Sequence, residues 1–189
     1  SGRRWSRDGL WIALEINRGS HSVIGLWEMQ RRLLRFVSPG LGIDRLPNFS
    51  RDGRQLAFVR AQEPPLLTRP EDGQFWSLHL YDLASGTDQT FWTPPRGQGS
   101  RFWGADDLGL EWTADGRILF PWEGSGWMRI CAIDVYNAVA PHCLTPDGAE
   151  VSSYRLSTDG KSLFYTSNVG DTDHWRAWSQ RLDGAATAL

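Results

Sequence analysis

The sequence predicts an all-β protein built from about four copies of one four-stranded antiparallel unit, and three observations predict it. A short motif recurs four times, an alternating apolar run follows each copy, and no segment holds a convincing helical period. The motif is an aromatic residue or leucine, then Ser or Thr, any residue, and Asp-Gly. Its copies are Trp5-Ser6-Arg7-Asp8-Gly9, Phe49-Ser50-Arg51-Asp52-Gly53, Trp112-Thr113-Ala114-Asp115-Gly116 and Leu156-Ser157-Thr158-Asp159-Gly160.

The Asp residues of the four copies are 44, 63 and 44 positions apart. That spacing is the ~40 to 45 residues of a four-stranded propeller blade, with an insertion in the second repeat. Asp tolerates turn conformations and Gly supplies positive φ, so each Asp-Gly folds the strand before it back onto the strand after it. The strands after the turns are Trp11-Ile12-Ala13-Leu14, Leu56-Ala57-Phe58-Val59, Ile118-Leu119-Phe120 and Ser162-Leu163-Phe164-Tyr165. Third strands end in an acidic residue, at Glu28, Asp82, Asp134 and Asp183. Outer strands close near Val37-Ser38-Pro39, Trp92-Thr93-Pro94, Leu144-Thr145-Pro146 and Ala188-Leu189. Leu26 to Phe36 fits a helix if read alone, but its equivalence to the other third and fourth strands argues for sheet.

The expectation is one β-propeller domain over 1–189, with blades at 1–40, 41–94, 108–146 and 149–189 and a long loop over 95–107. The extra stretches Gln62 to Gly73 and Thr93 to Gly109 are rich in Pro, Gly and charge and read as loops. In a propeller the connections from second to third strand and from blade to blade share one face. The insertions, Pro121 to Gly126 and Asn168 to Asp173 are expected there, and recognition with them.

With 189 residues, 40% hydrophobic, 22% charged and a net charge of −2, the chain has the composition of a soluble globular domain. There is no basic field for a phosphate backbone, so nucleic acid is a poor fit. Apolar stretches such as Leu10 to Leu14 fall short of the ~18 to 20 residues that cross a bilayer, so no membrane partner is expected. Ser1-Gly2-Arg3-Arg4 runs straight into the first motif and does not resemble a secretory signal, so either the mature protein begins here or the chain was cut from a longer one. A soluble cytoplasmic or periplasmic location follows. Eleven Trp residues, and Arg at every basic position but Lys161, suit an aromatic-filled β core; they also offer ring and guanidinium surfaces for recognition.

The stretches Leu119-Phe120-Pro121-Trp122-Glu123-Gly124-Ser125-Gly126-Trp127, Cys143-Leu144-Thr145-Pro146, Glu150-Val151 and Tyr165-Thr166-Ser167-Asn168-Val169-Gly170-Asp171, in that order, resemble the N-terminal β-propeller of prolyl oligopeptidase family serine peptidases. The bacterial dipeptidyl peptidase IV-like and acylaminoacyl peptidase-like branches are the most similar. The Asp-Gly repeats alone are shared with TolB-type propellers. The resemblance implies a partial ring, about four blades of a seven- or eight-bladed propeller that caps an α/β-hydrolase domain and restricts its substrates to peptides. The chain departs from that pattern in holding four repeats and no hydrolase domain. A nucleophile elbow needs Gly-x-Ser-x-Gly on a strand-to-helix turn; Ser125 has Glu123 at the first Gly position and Ser100 has Gln98. The acidic pair that anchors a substrate amino terminus is not recognisable either. The chain is therefore expected to be non-catalytic, gating peptides and docking the hydrolase domain in its parent. The alternative is a stand-alone TolB-like module for protein–protein interaction.

His21, His79, His142 and His174 are at least 32 positions apart, so none pairs at metal-ligand spacing, and they read as structural or surface residues. Asp171-Thr172-Asp173 lacks the remaining positions of a calcium loop. Gly40-Leu41-Gly42 and Gly97-Gln98-Gly99 do not sit between strand and helix, so both are loop glycines. No cofactor is expected. If Val135 pairs with Val139, Cys131 falls opposite Cys143 in reach of a cross-strand disulfide, whereas a register shift of one leaves two separate buried thiols. Exposed candidates for a substrate or domain contact are Arg101, able to clamp a peptide carboxylate, and Glu123, able to receive an amine, with Trp122 and Trp127 beside Glu123.

Blades hide their faces against neighbours, so the ends of an incomplete array are exposed to water. Each Trp or Phe buries ~150 to 250 Å², on the order of 4 to 6 kcal/mol before entropy, against a total stability of only ~5 to 15 kcal/mol. The isolated chain is therefore expected to self-associate, as a two-fold pair that approximates an eight-bladed ring.

Overall fold

A computed structural model describes residues 2–62, 75–97, 99–100, 102, 108–137, 140–184 and 186–189. Among these residues there are sixteen strands and no helix. The first repeat holds β1 (Arg3–Trp5), β2 (Trp11–Asn17), β3 (Ser22–Glu28) and β4 (Leu33–Val37). The second holds β5 (Ile43–Phe49), β6 (Gln55–Ala61), β7 (Trp76–Asp82) and β8 (Asp88–Trp92). The third holds β9 (Glu111–Trp112), β10 (Arg117–Trp122), β11 (Arg129–Asp134) and β12 (His142–Cys143). The fourth holds β13 (Val151–Leu156), β14 (Ser162–Ser167), β15 (Arg176–Arg181) and β16 (Ala186–Ala188).

Within every repeat the strands pair antiparallel in chain order. One parallel pair, Ser22 with Ile43, stitches β3 to β5 and joins the first two repeats into an eight-stranded sheet. Leu26 to Phe36 is two strands and a turn, with Leu26 opposite Arg35 and Trp27 opposite Leu34. Its apolar residues are placed by cross-strand pairing, not by a helical stripe, which is why the local period misleads. Strand β12 stops at Cys143 because the Thr145 hydroxyl, not a backbone carbonyl, accepts the Ile130 N–H at 3.0 Å.

The recurrent motif is a hydroxyl-centred reversal. In the second repeat the Ser50 Oγ donates to Asp52 Oδ1 at 2.6 Å and accepts the Gln55 N–H at 2.9 Å. Asp52 Oδ1 then takes the Arg54 N–H at 3.1 Å, and Gly53 stands at φ 71°. Ser6, Thr113 and Ser157 each donate to the Asp two positions on, at 2.6, 2.5 and 2.5 Å, and accept a backbone N–H from the start of the next strand. Gly9, Gly116 and Gly160 take φ of 72°, 85° and 73°, a region that any Cβ would strain.

The chain divides into two compact halves, Ser1–Gly97 and Gln98–Leu189. In the N-terminal half Ala13, Ile24, Leu26 and Val37 of the first repeat pack with Phe49, Leu56, Phe58 and Tyr81 of the second. In the C-terminal half Leu119, Ile130 and Ala132 pack with Val151, Tyr154, Leu163 and Tyr165. Each half therefore has its own core between two four-stranded layers.

Candidate functional site

Strand β5 is irregular where the site begins. Its pairing with β6 shifts between Arg45 and Asn48, and Leu46 takes a left-handed φ of 55°. A bulge of this kind re-aims the neighbouring side chain, and a strained non-glycine residue persists only where its surroundings hold it. Here Glu15 Oε1 on β2 accepts the Leu46 N–H at 2.5 Å. The start of β3 is tied to the same place, since the Ser22 N–H donates to Gly42 O at 3.3 Å and the Ser22 hydroxyl to Asp44 O at 2.7 Å.

These ties frame a groove of about 680 Å³ lined by residues of β1, β2, the β2–β3 connection and β5, among them Arg3, Glu15, Asn17, His21, Ile43 and Arg45. Arg3 and Arg45 are both exposed. With Glu15 already committed to a backbone N–H, the groove presents two guanidiniums to an incoming group, which suits a carboxylate.

Below this groove lies a buried polar network. Arg60 on β6 meets Asp44 through two hydrogen bonds of 2.6 and 2.9 Å, reaches Asp88 at 3.1 Å and donates to Ser38 O at 2.9 Å. The hydrogen bond to Asp44 above all holds the Arg60 guanidinium in its charged form. Burial pushes the Asp88 carboxyl up, but the His79 hydrogen bond and the charges of His79 and Arg60 outweigh it and keep Asp88 below the usual carboxylate range. His79 Nδ1 lies 2.8 Å from Asp88 Oδ1, and its Nε2 faces the hydroxyls of Ser77 at 2.9 Å and Thr90 at 3.3 Å. The Ser77–His79–Asp88 series has the residue types of a catalytic triad, yet two hydroxyls share one ring nitrogen, Phe58 stacks on the ring at 5.0 Å and Asp88 also serves Arg60. The network clamps β5 to β8 around the groove; the sequence offered no signal for it, because Asp44, Arg60, His79 and Asp88 share no motif.

In the C-terminal half the connections also interlock. Glu150 Oε2 accepts the Met128 N–H, and the Glu150 N–H donates to Asn168 Oδ1, each at 2.8 Å. The Ser125 hydroxyl donates to Asp147 at 2.7 Å, and Arg129 donates to Thr145 O at 2.9 and 2.6 Å. Thus the Glu150-Val151 and Ser167-Asn168 stretches hold the third repeat's β10–β11 connection against the fourth.

Of the residues expected to face a partner, Trp122, Glu123 and Trp127 lie together at the β10–β11 connection. Glu123 is half-buried, not exposed: its carbonyl accepts the Gly126 N–H at 2.8 Å, and Gly99 approaches that carbonyl so closely that no side chain fits there. Trp122 is half-buried under Gly124, and Trp127 is exposed. Arg101 lies outside the described residues, as does Val139. Cys131 pairs with Cys143 across β11 and β12, and the two are joined as a disulfide. Asp171 and Asp173 form a turn in which Asp171 accepts the Asp173 N–H at 3.1 Å and meets His174 at 2.9 Å. No cluster of three metal-ligating side chains occurs among the described residues.

No family model and no curated protein matches the chain. Solved structures do. TolB from Acinetobacter baumannii superimposes with a TM-score of 0.72 at 19% identity over 100% of this chain and 43% of its own. An oligogalacturonate lyase in complex with manganese gives 0.69 at 14% identity over 100% of this chain and 52% of its own. A puromycin-hydrolyzing peptidase of Mycobacterium tuberculosis gives 0.68 at 17% identity over 97% of this chain and 30% of its own. The chain thus has the fold of the TolB-like β-propellers and spans less than half of the TolB that it matches.

Proposed function

We propose that this chain is a non-catalytic propeller portion, four blades of a seven- or eight-bladed ring, from a prolyl oligopeptidase-like serine peptidase. Its groove receives the carboxylate end of a peptide on its way to the hydrolase domain. The observation that carries this reading is the groove itself: Arg3 and Arg45 line one cavity of about 680 Å³ whose shape is set by the Glu15-to-Leu46 tie. Bidentate guanidinium contacts select a terminal carboxylate over an internal peptide bond, which suits a gate for short peptides. The β10–β11 connection, with Trp122, Glu123 and Trp127, is assigned the contact with the hydrolase domain.

A tetra-alanine peptide with a free carboxylate is expected to bind at least tenfold more tightly than its C-terminal amide by calorimetry, and Arg3→Ala with Arg45→Ala is expected to abolish the difference. Equal binding of the two peptides overturns the groove's role. A second reading, a stand-alone TolB-like interaction module, is favoured by the TM-score of 0.72 to a TolB. A fluorophosphonate probe applied to the full natural gene product separates the two, since labelling of a serine requires a hydrolase domain and its failure favours the interaction module.

A further inference from the structure

The two faces of the first repeat differ in a way that demands a partner. One face carries Ala13, Ile24, Leu26 and Val37 into the core. The register places Trp5, Ile12, Trp27 and Leu34 in a row across the other, with Leu14, Gly25 and Phe36 in the row beside it. A Cβ at Gly25 would stand 2.7 Å from Ile16 Cδ1 and 3.1 Å from Leu34 Cδ1, so those side chains close over the glycine and the apolar surface is continuous. Trp5 is 59% exposed, and Leu34 and Phe36 are 38% and 39% exposed. A contiguous apolar sheet face of this extent marks an interaction surface.

The fourth repeat has a matching feature. Opposite its core face, Arg155, Phe164, Ser179 and Thr187 form one row and Ser153, Thr166 and Ala177 the next. These rows line a hollow of about 340 Å³ together with Leu189, and Phe164 is 43% and Leu189 75% exposed. Arg155 is turned away to its neighbour, donating to Tyr154 O at 2.8 Å.

Charge decides which face meets which. The N-terminal half carries thirteen basic and ten acidic residues, the C-terminal half seven basic and twelve acidic. Like faces would bring two basic halves together, with Arg3 and Arg18 at both rims, whereas unlike faces bring a basic half to an acidic one. We propose that a second copy of this chain covers the apolar face: the Trp5–Leu34 side of one copy seats on the Phe164 side of the other, Trp5 entering the hollow beside Ala177. Two such contacts close a symmetric pair.

Light scattering after gel filtration at 10 µM is expected to give about twice the 21.4 kDa of one chain in ~0.1 M salt, where the Debye length is about 10 Å. Trp5→Ser and Phe164→Arg are each expected to return the mass to one copy with an unchanged far-UV spectrum, and an equimolar mixture of the two to regain pairs through its one intact contact. A wild-type mass of one copy overturns the proposal. So does a Trp5→Ser monomer alongside a Phe164→Arg pair, which would place the contact between two N-terminal halves. A mass above two copies that collapses in either variant supports the same pairing of faces.

Discussion

Ser50 shows how much one hydroxyl does in this protein. It is 5% exposed, and its Oγ serves both Asp52 and the Gln55 N–H. Ser50→Ala leaves that N–H without its acceptor and is expected to cost about 1–3 kcal/mol in denaturant unfolding, whereas Ser50→Thr is expected to be tolerated, since Thr113 does the same work. The carboxylates of these turns report on acid. The Ser6 and Leu10 hydrogen bonds hold Asp8 below its ordinary 3.8, and the Ser50 hydrogen bond outweighs burial to do the same for Asp52. A lowered folded-state value means that the unfolded chain binds more protons below pH ~4, so this stability is complete above that point and is lost as pH falls through the folded values. Unfolding free energy is expected to be flat from about pH 7 to 5 and to fall below about 4, with Asp8→Asn plus Asp52→Asn flattening the fall. Arg60 is the residue whose loss is gravest: Arg60→Met strands Asp44, whose side chain is 2% exposed, at about 3–5 kcal/mol. Arg60→Lys is expected to recover only part, because one ammonium cannot reproduce a fork that serves two carboxylates and a carbonyl.

Among the elements, β5 and β12 depart most from regular strands, and both departures place a functional or structural device. The β5 bulge sets Arg45 in the groove. The β11–β12 pair has only two residue pairs, Cys131 with Cys143 and Ala132 with His142, so its disulfide holds a hairpin that few backbone hydrogen bonds secure. A crosslink between residues 12 apart stabilises by roughly 3 kcal/mol in the loop-entropy account. Denaturant unfolding with and without reductant is expected to differ by about that amount, and the unreduced, unfolded protein is expected to take up no alkylating reagent by mass; uptake of two equivalents would deny the bond. The strand order was legible before any coordinates because alternation and Asp-Gly are local signals. The bulge was not, since Leu46 and Pro47 announce no turn and the left-handed residue is held by Glu15, 31 positions away.

For the molecule as a whole, association and stability are linked. If the apolar face of the first repeat is covered only in the pair, the melting temperature is expected to rise with protein concentration by mass action, and the Trp5→Ser chain is expected to melt at one temperature across a hundredfold dilution. The recurrence of Ser/Thr-x-Asp-Gly at blade spacing was enough to foretell an all-β chain of hairpins, because each reversal is built from residues within five positions of one another. It also foretold where recognition would lie in general terms, at the strand ends where connections gather. It did not foretell Arg3 and Arg45 as the lining of a groove, nor the Arg60 clamp. Those sites are assembled by side chains from strands 16 to 42 positions apart, and no local pattern encodes which of many arginines a sheet twist and a bulge will bring to one cavity.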